Sequence, residues 1–214
     1  LLKSCPFCGF EKLYILADKK LKCAKCKKKI SPSKIERENR IIECFCKNLT
    51  PLECSKTANL HYVTVKKRYD EFRKTIAIYM EKEYQNRESI TAYEEYIYLE
   101  NSKRKDKKYI FDAYNFLTFE FDNKIYNLMM PDLSRYKLAF LKDELESLYY
   151  KEFEKFLRTS KVSGSSSARI ERFWLYFEEF IKKFRGIKRE NFFYYLKEAE
   201  FRFNFDCEKL KEIL

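Results

Sequence analysis

The 214-residue sequence has no apolar run near the roughly 20 residues that a membrane-spanning helix needs, and no leader pattern precedes the first motif. A membrane partner is therefore not expected. Histidine is almost absent. His61 is the only one, and its place between two helical stretches suits a turn residue better than a catalyst or a metal ligand. Acidic residues are scarce at one end: residues 1–74 hold 19 Lys and Arg against 8 Asp and Glu, while residues 75–214 hold 26 against 25. Nearly all of the net charge of +12 thus sits in the first third, as expected of a nucleic-acid-binding end joined to a neutral body. The chain begins at Leu1 without Met, which reads as a fragment or a processed product.

Cysteine, by contrast, is plentiful. Eight cysteines without a secretory leader point to a reducing compartment and to metal binding rather than disulfides. Cys5-Pro6-Phe7-Cys8-Gly9 and Cys23-Ala24-Lys25-Cys26 are two CxxC turns, each presenting a pair of thiolates. Two such pairs close a tetrahedral site, so Cys5, Cys8, Cys23 and Cys26 are expected to bind a structural Zn²⁺. Leu13–Leu16 and Leu21–Cys23 supply short strands between the turns, giving a zinc ribbon over residues 1–30. Cys44, Cys46, Cys54 and Cys207 lack ligand spacing and read as small, reduced, partly buried side chains.

Residues 31–86 read as three helices. Ile35, Ile42, Phe45, Cys46 and Leu49 give the first an apolar side, and Thr50-Pro51-Leu52-Glu53 is a capping box that opens the second. After Asn59-Leu60-His61, the residues Val65, Tyr69, Phe72, Ile76 and Met80 mark the inner side of a longer third helix. A short helix, a tight turn and a longer basic helix make a helix-turn-helix. Tyr62, Thr64, Lys66, Lys67 and Arg68 would then face DNA.

From Ser89 the pattern turns to strands: Ile90–Leu99, Tyr109–Phe121 and Lys124–Met130, the last two joined by an Asp122-Asn123 hairpin. Leu133–Phe156 reads as helical. Near the C-terminus Phe173, Trp174, Phe177, Phe180, Ile181 and Phe184 fall on one helix face, with Gly186 as its stop. Phe192, Leu196, Ala199 and Phe203 share a face of the next helix.

The wording of this end is distinctive: Ile170-Glu171-x-Phe173-Trp174, then Lys183-Phe184-x-Gly186-Ile187, then Tyr195-Leu196-Lys197-Glu198-x-Glu200-Phe201-x-Phe203-Asn204. It resembles the C-terminal end of a family of bacterial insertion-sequence transposases that carry a zinc ribbon, a helix-turn-helix and a DDE-type, RNase H-like domain. The resemblance implies that Glu171 is the last acid of a metal-binding triad. It also implies duplex DNA with terminal inverted repeats as the partner, Mg²⁺ as cofactor where the site is active, a homo-oligomer, and a bacterial, nucleoid-associated cytoplasmic setting. Such enzymes use two metal ions to stabilise the attacking and leaving oxygens of a phosphodiester.

The sequence departs from the pattern twice. The family's first-strand Asp-Glu falls on Glu94-Glu95 or Tyr93-Glu94, so Glu94 is the best substitute for the first acid. Between Pro131 and Glu171 stand a charged helix, with Asp143 and Glu144 on its flank, and Ser163-Gly164-Ser165-Ser166-Ser167, but no apolar strand ending in Asp. The expected fold is therefore α+β in three modules: ribbon 1–30, helix-turn-helix 31–86, and a reduced RNase H-like domain 87–214 with aromatic C-terminal helices. The expected function is a DNA-binding transposase with weak or no catalysis at Glu94 and Glu171. The alternative is a ribbon and helix-turn-helix transcriptional regulator whose C-terminal part only dimerises.

Overall fold

A computed structural model of the chain describes residues 2–100, 102–104, 107–131 and 167–214. They form a mixed α/β molecule with two three-stranded antiparallel sheets. The chain divides into two compact units, Leu1–Asp70 and Glu71–Ile213. The division falls inside one helix.

In the first unit, β1 (Leu13–Ile15), β2 (Leu21–Cys23) and β3 (Lys29–Ile30) pair in that order. Cys5, Leu21, Cys23 and Ile30 form a small core beside them. Helix α1 (Pro32–Cys46) buries Ile41, Cys44 and Phe45. Ile42 and Cys46, assigned to its inner side from sequence, are only half-buried, because the contact face follows the 41/45 spacing of one helical turn. Asn48, at φ 56°, ends that helix in the left-handed conformation that Asn tolerates.

Helix α2 (Pro51–Thr57) opens with both halves of the expected capping box. The Glu53 amide donates to Thr50 Oγ1 (3.3 Å), and the Thr50 amide donates to Glu53 Oε2 (2.7 Å). Asn59, at φ 51°, turns the chain into α3 (Tyr62–Gln85). On α3 the predicted stripe of Val65, Tyr69, Phe72, Ile76 and Met80 is buried throughout.

In the second unit, β4 (Ile90–Tyr98), β5 (Tyr114–Phe121) and β6 (Lys124–Met129) form a meander with β5 in the middle. Asp122 (φ 43°) and Asn123 (φ 60°) make the β5–β6 hairpin, both left-handed as a two-residue turn that matches strand twist requires. The stretch before Tyr114 is not strand: Lys107–Asp112 coils as a 3-10 helix. Helix α4 (Ala168–Ile181) buries Ile170, Phe173, Trp174, Phe177, Phe180 and Ile181, and α5 (Phe192–Asn204) buries Phe192, Leu196 and Ala199 against the same core.

Gly186 does have positive φ (65°), but α4 has already ended at Ile181. The early end lets Phe184 fold back onto Tyr195, with ring centroids 4.9 Å apart. A short helix, α6 (Cys207–Ile213), closes the chain, with Leu210 buried. The helix expected over Leu133–Phe156, with Asp143 and Glu144, lies outside the described residues, as does most of the serine-rich stretch. No helix among the described residues is long and apolar enough to cross a membrane.

Candidate metal centre and acidic positions

The two CxxC turns bring four thiols together. Cys5 Sγ lies 3.7 Å from Cys26 Sγ, and Cys8 Sγ lies 3.6 Å from Cys23 Sγ. All four sulfurs fall within 4.8 Å of one another. Four thiolates at about 2.3 Å from a tetrahedral ion stand roughly 3.8 Å apart, so the spacing suits such an ion. The turns follow from local chemistry. Gly9 takes φ 70° while its amide donates to the Cys5 carbonyl (2.8 Å), and Lys27, at φ 59°, donates likewise to Cys23 (3.1 Å).

The thiols differ in acidity. Burial pushes Cys23 up, but the amides of Cys26 and Lys25 and the neighbouring Cys8 outweigh it and bring the thiol down to about 6. The Lys28 amide lowers Cys26, yet burial and contacts with Cys23, Cys8 and Cys5 carry it up to about 11. The other four cysteines form no disulfide. Cys44 and Cys54 are buried, Cys46 and Cys207 half-buried, and burial beside Cys44 pushes Cys54 up to about 12.

On α3, Tyr62, Thr64, Lys66 and Lys67 are exposed. Arg68 differs. Its Nε donates to Glu38 Oε1 (2.9 Å) and Oε2 (3.2 Å), so its guanidinium ties α3 to α1. Val63, not singled out from sequence, is 62 % exposed between Tyr62 and Thr64. His61 is exposed in the turn.

Glu94 and Glu120 hold the residue that starts α4, while Glu171 stands in the first turn of that helix. Ser167 caps this helix, its Oγ accepting from the amides of Arg169 and Ile170. The Ser167 amide donates to Glu94 Oε1 (3.1 Å), and its hydroxyl donates to Glu120, on β5 beside β4. Glu171 stands in the first turn of the helix, half-buried. Glu94 is only 6 % exposed and uses an oxygen to hold the helix cap. Glu120 has no sequence signal of its own, since it is one polar position in a strand. Among the described residues the four cysteines are the one group of three or more metal-ligating side chains whose ligand atoms converge; Glu94, Glu120 and Glu171 do not.

Deeper in the unit lies a polar chain that composition does not reveal. Trp174 Nε1 donates to Thr118 Oγ1 (2.9 Å), which donates to Asn127 Oδ1 (2.8 Å). Asn127 donates its amide (2.7 Å) and side-chain nitrogen (2.9 Å) to Glu200 Oε2, and Lys197 Nζ reaches the same carboxylate at 3.1 Å. Burial pushes Lys197 down and Glu200 up, and each is pulled back by the other. Arg73 Nε likewise donates to the buried Glu198 (2.7 Å). The chain joins α4, the sheet and α5.

Comparison with known proteins finds no matching family model, no matching curated protein and no matching solved structure.

Proposed function

We propose that the chain is a DNA-binding protein of the insertion-sequence transposase type with weak or absent strand-cleaving activity. Its first unit would be a zinc ribbon followed by a helix-turn-helix, and its second a reduced RNase H-like domain. The observation that carries the DNA-binding part is the charge asymmetry together with two exposed lysines of α3, Lys67 opposite its buried stripe and Lys66 on the flank. A charged helix face of this kind suits phosphates and a groove. The sulfur spacing and the four-thiol donor set favour zinc over hard cations.

Support for the transposase part comes from the Ile170–Asn204 wording and from the Glu94 contact with Ser167, the cap of the helix bearing Glu171. A meander followed by helices packed against it is compatible with an RNase H-like domain. The reading of weak catalysis rests on Glu94. Mg²⁺ needs several oxygen ligands in near-octahedral geometry, and this carboxylate is engaged with the backbone. The same observation favours the second reading, a transcriptional regulator with a dimerising C-terminal part. Strand nicking of end-containing duplex in Mg²⁺ and in Mn²⁺, comparing the chain with Glu94→Ala and Glu171→Ala, tests the catalytic part. Nicking should be undetectable or far slower than for an intact relative. Robust nicking abolished by both substitutions contradicts it. Preference for terminal inverted repeats over a promoter operator separates the transposase type from the regulator.

A further inference from the structure

The first sheet has two unlike faces. Leu13, Leu21, Cys23 and Ile30 turn toward the small core. The registers Tyr14↔Lys22 and Lys22↔Lys29 then set Tyr14, Lys22 and Lys29 in a row across the other face, because residues directly opposite in antiparallel strands share a side. Lys12, two residues before Tyr14, brings its ammonium to 5.7 Å from the ring centroid. Tyr14 is 48 % exposed. The result is one open aromatic ring framed by three lysines.

Two features of this face work against stability of the free chain. Like charges placed directly opposite on paired strands repel, and Lys22 faces Lys29. A module with so small a core also leaves the Tyr14 ring of this face outside it, at 48 % exposure. Acids to neutralise the lysines are few. Residues 1–30 hold nine lysines against Glu11 and Asp18 alone, and Asp18 is taken by Lys20 at 2.8 Å. Phe7 repeats the pairing, with Lys28 4.5 Å from its ring centroid.

A partner that relieves both features carries regular negative charge and flat apolar faces together. Duplex DNA offers the charge, but its bases are stacked away from a flat sheet. Unpaired nucleotides offer both: every base has a face that stacks on an aromatic ring, while a lysine-lined surface follows the backbone. We infer that the outer face of the first sheet binds single-stranded nucleic acid, with Tyr14 stacking on a base and Lys12, Lys22 and Lys29 meeting the flanking phosphates. This site includes neither Lys66 nor Lys67 and does not depend on duplex binding by α3.

The test uses the full chain purified with zinc and fluorescence anisotropy on two probes, an oligothymidylate of about twelve nucleotides and a duplex of the same length. Tyr14→Ala should weaken single-strand binding about tenfold and leave duplex binding unchanged, whereas Tyr14→Phe should keep wild-type affinity. Lys22→Gln with Lys29→Gln should flatten the salt dependence on the single strand. Zinc content of each variant reports an intact first unit. Failure of the wild-type chain to bind the single strand at low salt overturns the inference. So does a Tyr14→Ala variant that binds it as tightly as wild type or loses equally on both probes. A Tyr14→Phe variant as weak as Tyr14→Ala also overturns it.

Discussion

Glu200 shows most clearly how single side chains carry the second unit. It is fully buried, and Asn127 and Lys197 are held through it. Glu200→Ala would leave the Lys197 ammonium buried without its partner and the Asn127 donors unmet. The expected loss is about 3–5 kcal/mol in urea unfolding, as for other broken buried pairs. Acid acts elsewhere. Burial raises Glu178, but the hydroxyl of Tyr96 (2.6 Å) and Arg104 (3.0 Å) outweigh it and hold the carboxyl below its ordinary value. Glu83 is lowered in the same way by Lys124 and Tyr79. A carboxylate with a depressed folded pKa contributes fully above its unfolded value and loses that contribution as pH falls through the folded one. Stability should therefore hold above about pH 4.3 and decline below it, and Glu178→Gln should shrink the decline measured by urea unfolding against pH. Arg68 is a separate case. Because it is paired with Glu38, Arg68→Ala should lower stability by no more than about 1 kcal/mol and weaken duplex binding less than Lys66→Ala or Lys67→Ala does.

At the scale of elements, the four-cysteine turns are the part that cannot stand alone. Their core is Cys5, Leu21, Cys23 and Ile30, half of it contributed by the candidate metal ligands. Structural zinc contributes on the order of 10–16 kcal/mol of apparent binding energy in such small domains. Chelation, or Cys23→Ser, should therefore remove zinc and unfold the first sheet while α4 and α5 persist by circular dichroism. With Cys26 up at about 11, loading at neutral pH should release protons, and affinity should fall as pH drops. These turns were legible in the sequence because each is local: two thiols, a tight turn, and Gly9 where positive φ is needed. The Thr50 capping box and the Asp122-Asn123 hairpin were legible for the same reason. The 3-10 helix at Lys107–Asp112 was not, since its Tyr-Ile-Phe wording suits a strand equally well. Nor was the interior role of Lys197, Glu198 and Glu200. In sequence they look like a solvated helix face, and their partners Asn127 and Arg73 lie 73 residues from Glu200 and 125 from Glu198. The helix-cap role of Glu94 was hidden too, since it depends on Ser167, also 73 residues away.

At the scale of the molecule, a basic first third precedes a near-neutral remainder, residues 1–74 carrying 19 basic against 8 acidic side chains. The central proposal is that this charge, presented through α3, binds duplex DNA. The direct measurement is duplex affinity of the zinc-loaded full chain as a function of salt, for wild type and for Lys66→Ala with Lys67→Ala. Each phosphate contact releases condensed counterions, so affinity should fall steeply with salt, and the double variant should bind more weakly and with a slope shallower by about two. No binding at low salt, or a double variant with unchanged affinity and slope, would contradict the claim.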